Sequence, residues 1–151
     1  MKINIFNNSG LAAKTLPDPG LLRRTARSGL GPLARLAGEL NIVFVTAAEI
    51  KKLNRRYLST GALTDVISFN YELPAQAARE PGFPFGDIFI CAESARLQAK
   101  NLGHSVKKEL LLLAAHGALH LAGMDDSTKA ELAAMDSAAL AILASLAPRL
   151  G

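Results

Sequence analysis

One short segment holds the residues best equipped for chemistry. In His116-Gly117-Ala118-Leu119-His120-Leu121-Ala122-Gly123-Met124-Asp125-Asp126, the two imidazoles stand four residues apart, on one face of a helix. Gly123 falls where a helix must stop and turn. Asp126 follows six residues after His120, able to swing back from the turn towards both rings. Two imidazoles and a carboxylate suit Zn²⁺, which takes nitrogen and oxygen ligands at about 2.0–2.2 Å. Three protein ligands leave a fourth position open, and an open position separates a catalytic zinc from a structural one. The spacing therefore predicts one Zn²⁺ on His116, His120 and Asp126. Asp126 has a competing use as N-cap of the last helix, because Asp126-Ser127-Thr128 is good capping chemistry.

One absence narrows the reaction. In helical zinc proteases the residue after the first histidine is Glu, the general base that activates the metal-bound water. This chain has Gly117 there, and losing a general base costs on the order of 10²–10⁴ in rate. Asp125 is a partial replacement at best, lying beyond the helix end. Peptide hydrolysis is accordingly disfavoured.

The elements that must position these side chains follow from periodicity and punctuation. Leu110 to Ala115 is apolar on every face, which predicts a buried helix, capped by Ser105. Strands are expected at Lys2–Phe6, Asn41–Val45, Asp65–Phe69 and Asp87–Cys91. Asp18-Pro19 opens a helical pattern reaching Ala37 with a break at Gly29, Gly31 and Pro32, and Thr46 to Glu49 is a capping box. Helices are also expected from about Glu93 to Leu102 and from Ser127 to Leu146, the latter packing Leu132, Met135, Leu140 and Leu143 as a core stripe. Pro74 to Phe85 reads as a loop. Residues 1–151 thus form a single α+β (α/β) domain: a small mixed sheet of about four strands, helices around it, and a central metal-bearing helix.

Composition bounds the function. A chain of 151 residues buries about two-thirds of its unfolded surface, and without Trp its core must be aliphatic. The net charge of +4 favours an anionic partner such as RNA. Between Gly20 and Thr60, Arg23, Arg24, Arg27, Arg35, Lys51, Lys52, Arg55 and Arg56 face only Glu39 and Glu49. Such an excess serves either two solvated helix faces or an RNA-tracking surface, and a basic groove from the metal towards Lys51, Lys52 and Arg55 is expected. No aromatic-rich strand is available to stack bases, so backbone and shape would be read before base identity. Cys91 is the sole cysteine, suited to strand packing. No signal-peptide pattern or membrane-length apolar run is present, which predicts a cytoplasmic protein with no membrane partner.

Four ordered blocks resemble the YbeY-type endoribonucleases of bacteria. Leu53-Asn54 followed by Tyr57 resembles the family's helix signature. Thr64-Asp65-Val66-Ile67-Ser68-Phe69 is similar to its T-D-V-[LI]-S-F strand, and Gly86-Asp87-Ile88 to its G-D-I strand. His116-Gly117, Leu119-His120-Leu121, Gly123 and Asp125 match H-G-x-L-H-L-x-G-x-D-H. The resemblance covers about Leu53 to Met135. It implies a metal-dependent, single-strand-specific endoribonuclease in ribosomal RNA maturation and ribosome quality control, partnered by single-stranded RNA and the ribosome. The family metal is usually zinc on the three signature histidines, in a fold similar to zinc proteases.

Two departures stand out. The third metal histidine is Asp126 here, a competent zinc ligand with one more negative charge. The family arginine after the tyrosine, thought to serve the phosphate, is Leu58 here. Arginine on a transferring phosphate is worth roughly 10³–10⁵ in rate by analogy with phosphoryl transfer. Arg55, three residues earlier on the same helix face, is the expected substitute; a solvated helix end is its alternative use. Asp65, Thr64, Ser68 and Asp87 either touch a ligand or bond nearby backbone. Glu109 is expected as an exposed first-turn acid or a support for the metal ligands, and His104 at the surface. The leading reading is a zinc endoribonuclease with a His-His-Asp site. A metal-stabilised RNA- or ribosome-binding protein with little catalysis is the alternative, and metal-dependent hydrolysis of another bond a third.

Overall fold

Among the described residues, apolar runs bounded by turn residues become four strands and five α-helices. The computed structural model describes residues 1–58, 65–71 and 80–148. Its strands are β1 (Lys2–Asn7), β2 (Glu39–Val45), β3 (Val66–Asn70) and β4 (Pro84–Cys91). Its helices are α1 (Pro19–Leu30), α2 (Ala47–Leu58), α3 (Ala92–Leu102), α4 (Val106–Leu121) and α5 (Lys129–Leu146). The strands form one mixed sheet in the order β1-β2-β4-β3, with β1, β2 and β4 parallel and β3 antiparallel to β4. Parallel neighbours require crossovers, which α1 and α2 help to supply. This is the α+β domain the sequence predicts. Thr64 and residues 74–79 of the expected loop lie outside the described residues, whereas Pro84 and Phe85 open β4 instead of ending a loop. Proline is tolerated there because it occupies the first strand position.

The helix expected from Asp18 to Ala37 is divided. Asp18 caps α1, its Oδ2 accepting from the Leu21 amide at 3.0 Å. The helix ends at Leu30, and Gly31–Arg35 continue as a 3-10 turn, since Pro32 has no N–H to extend the α ladder. Arg23 Nε donates to the Ile3 carbonyl at 3.0 Å and Arg27 Nη2 to that of Met1 at 3.3 Å. Two arginines of the basic excess therefore dock α1 onto β1.

A polar ladder crosses the sheet. Asn4 Nδ2 donates to Asn41 Oδ1 at 3.0 Å, and Asn41 Nδ2 to Asp87 Oδ1 at 2.9 Å, on residues in direct register. The Tyr71 hydroxyl donates to the other Asp87 oxygen. Asp87 thus pins the sheet.

α4 is the axis of the core. Leu110, Leu111, Leu113, Ala114, Ala115 and Ala118 are buried, and the helix touches α1, α3, α5, β3 and β4. Ser105 caps it as expected, accepting from the Lys108 amide at 3.1 Å. A smaller cluster of Val43, Val45, Ile50, Ile67 and Cys91 forms a second apolar core, with Leu53 of α2 packed against it, so Cys91 packs as expected. No described helix is long and apolar enough to cross a membrane.

Candidate functional site

Residues of α2, β3, α3, α4 and α5 enclose a cavity of ≈ 790 Å³. All 3 histidines of the chain line it: His104, His116 and His120. Four carboxylates join them, those of Asp65, Glu109, Asp126 and Asp136.

The predicted ligands share this cavity. His116 and His120 sit one turn apart on the last turns of α4, where the helix carbonyls favour a cation. Gly123, at φ +107°, then takes the chain through a turn that a side chain would strain. The Ala122 amide bonds to Ala118 and the Gly123 amide to His120, each at 3.0 Å, closing the helix end. Beyond this turn Asp126 lines the cavity. The N-cap of α5 is Thr128, whose Oγ1 accepts from the Glu131 amide at 3.1 Å. Asp126 is therefore not spent on capping.

Asp125 organises the turn instead. Its Oδ1 accepts from the Ser127 hydroxyl and from the Asp126 amide, both at 2.8 Å. These two bonds, the hydroxyl first, hold its carboxyl below the ordinary 3.8, with a smaller contribution from His120.

His116 Nε2 meets Asp136 Oδ1 at 2.9 Å, across the gap between α4 and α5. Among the described residues, no three His, Cys, Asp or Glu side chains stand ready-made around an ion. The donor chemistry nevertheless suits zinc. His120 and Asp126 are exposed, so turning them towards the cavity disturbs no core packing.

Gly117 has a steric explanation. A Cβ there would stand 2.6 Å from Ile88 Cγ2 and 3.0 Å from Ser68 Oγ. The Ser68 hydroxyl donates to the Gly117 carbonyl at 3.2 Å, drawing α4 onto the sheet. A protease-type glutamate has no room at this position.

Several expectations are corrected. Glu109 is buried, not an exposed acid, and its Oε2 lies 2.7 Å from His104 Nε2, so His104 is not a surface residue either. A charged group so placed needs a partner, and the imidazole supplies it. Leu132 and Leu140 leave the expected core stripe and face the cavity, 43% and 49% exposed, while Met135 and Leu143 are buried. The cavity is also not the expected basic groove: no Lys or Arg is among its described lining residues. Lys51, Lys52 and Arg55 are exposed on α2, and from this stretch only Asn54 lines the cavity.

Sequence reasoning overlooked Asp136, the His104–Glu109 pair and Gln98, whose Nε2 donates to Asp65 Oδ2 at 3.0 Å. Asp136 left one signal, an acid directly following a core methionine on an alanine-rich helix.

A mixed four-stranded sheet packed against a buried helix with two histidines on its last turns defines an α+β domain. The model of the endoribonuclease YbeY family matches residues 25–147, and the chain belongs to that family. An endoribonuclease YbeY of Elusimicrobium minutum is 43% identical over 136 residues, covering 90% of this chain and 93% of its own. One from Staphylococcus aureus is 43% identical over 102 residues, covering 62% and 63%. The solution structure of TM1509 from Thermotoga maritima shares the fold, with a TM-score of 0.55 at 22% identity, covering 95% of this chain and 90% of its own.

Proposed function

We propose that the protein is a metal-dependent endoribonuclease of single-stranded RNA, acting in the cytoplasm in ribosomal RNA maturation and ribosome quality control. The observation that carries this reading is that His116, His120 and Asp126 line one cavity in a chain of the endoribonuclease YbeY family. His116, His120 and Asp126 would hold one Zn²⁺, which when bound polarises a phosphoryl oxygen or lowers the pKa of its water.

The chain's own residues supply the rest. Arg55, exposed one residue from cavity-lining Asn54, is proposed to bind the phosphate in place of the family arginine lost at Leu58. Lys51 and Lys52, exposed on the same helix, extend the positive surface along the RNA backbone. Leu132 and Leu140 give the cavity an apolar side.

Leu58 in place of the family arginine favours one second reading, a metal-stabilised RNA- or ribosome-binding protein with little catalysis. One experiment separates them. The metal content of purified protein is measured, and single-stranded RNA is offered with and without chelator. Cleavage abolished by chelator and restored by zinc supports the enzyme. Metal-loaded protein that binds RNA without cutting it supports the binder.

A further inference from the structure

We propose that Asp136 is a fourth donor to the ion, an inference that rests on the metal-site reading above. Four carboxylates line the cavity, and among the described residues Asp136 is the one in contact with the histidine pair, at 2.9 Å from His116 Nε2. Donors about 2.1 Å from an ion stand about 3.0 Å apart when octahedral neighbours and about 3.4 Å when tetrahedral. The observed 2.9 Å is thus about 0.1 Å short of the octahedral spacing and about 0.5 Å short of the tetrahedral one.

Position supports the same assignment. Asp136 follows Met135, which is buried in the main core and fixes α5 where it crosses α4. Its carboxylate is accordingly set by a packed helix, whereas Asp126 stands in an exposed turn. With side-chain exposures of 20% for His116 and 51% for Asp136, the pair is open to an arriving ion. Two neutral imidazoles and two carboxylates also balance a divalent charge. Four protein donors leave an open position only on an ion taking more than four ligands. The site therefore accepts Mn²⁺, which prefers oxygen ligands, better than a three-histidine site would.

The test is titration of the full chain with Co²⁺, a spectroscopic probe for zinc, and with Zn²⁺ by competition. Wild type, His116→Ala, Asp126→Ala and Asp136→Asn are compared. Asp136→Asn should weaken binding at least about 10-fold and change the Co²⁺ visible spectrum, because a ligand is lost. Asp136→Glu should restore part of the affinity. Helix content and urea midpoint without metal show that Asp136→Asn is folded. Affinity and spectrum unchanged in Asp136→Asn, with loss in His116→Ala, overturn the proposal and leave the metal site standing. Weaker binding with an unchanged spectrum also overturns it, reducing Asp136 to a residue that orients His116. Wild-type protein that binds neither ion overturns the site itself and this assignment with it.

Discussion

Replacing Gly117 with alanine should destabilise the protein, although the same change in an open helix would stabilise it. A helix-interior Gly→Ala change gains about 1 kcal/mol from propensity and backbone entropy. Here the new methyl meets Ile88 Cγ2 at 2.6 Å, Ser68 Oγ at 3.0 Å and Ile88 Cδ1 at 3.1 Å. Ile88 is fully buried and cannot turn aside, so overpacking of about 1–3 kcal/mol applies. The net expectation is a loss of about 1 kcal/mol, read as a lower urea midpoint at unchanged slope. Ile88→Ala alone should cost about 2–5 kcal/mol, and in that background the added methyl enters the space vacated. Gly117→Ala should then gain about 1 kcal/mol, giving a coupling near 2 kcal/mol in the double-mutant cycle. Stabilisation of the wild-type background by Gly117→Ala would refute the steric account of this position. Gly117→Glu should be worse than alanine and confer no peptidase activity.

Asp126→Ala should lower zinc affinity while changing stability by less than about 0.5 kcal/mol, whereas Thr128→Ala should cost about 0.5–2 kcal/mol and leave metal content alone; equal stability losses would return Asp126 to a capping role. The Asp125 carboxyl should titrate below 3.8 in NMR and move up in Ser127→Ala, because the Ser127 hydroxyl is the main stabiliser of the charged form. Its bonds therefore favour the folded state above that ordinary value and are lost as pH falls through the lowered one; a midpoint indifferent to Ser127→Ala would refute this. Arg55→Ala should cut RNA cleavage about 10²-fold or more with little change in RNA affinity, and Leu58→Arg should alter neither much. Cleavage raised by Leu58→Arg and untouched by Arg55→Ala would show the phosphate-binding role to be vacant.

Local chemistry made much of this legible. Asp18, Thr46 and Ser105 cap helices where their types and spacing predict, and the H-x-x-x-H spacing with its trailing glycine and Asp126 identified three residues of one cavity. What escaped is contact between elements. His116 and Asp136 meet because α5 folds back across α4, a relation with no local periodicity. Glu109 has the look of a first-turn solvent acid, yet its burial depends on His104 from the preceding turn. Leu132 and Leu140 fit a helical core stripe equally well whether the facing space is filled or hollow. Charge counts mislead for a similar reason: Arg23 and Arg27 belong to the basic excess but spend donors on the carbonyls of Ile3 in β1 and of Met1 just before it.

The enclosure of α4 by α1, α3, α5 and the sheet has a thermodynamic consequence. A helix buried from Glu109 to Ala115 cannot open there separately from the domain, so its central amides should exchange with solvent only through global unfolding. A ligand held by His116 binds the folded domain and not the unfolded chain. Its binding free energy enters the global transition in full, and at 100-fold excess over Kd that is about 2.7 kcal/mol. Occupancy of a surface-facing cavity would thus be felt as far away as β1, with melting temperature and amide protection across the sheet rising together.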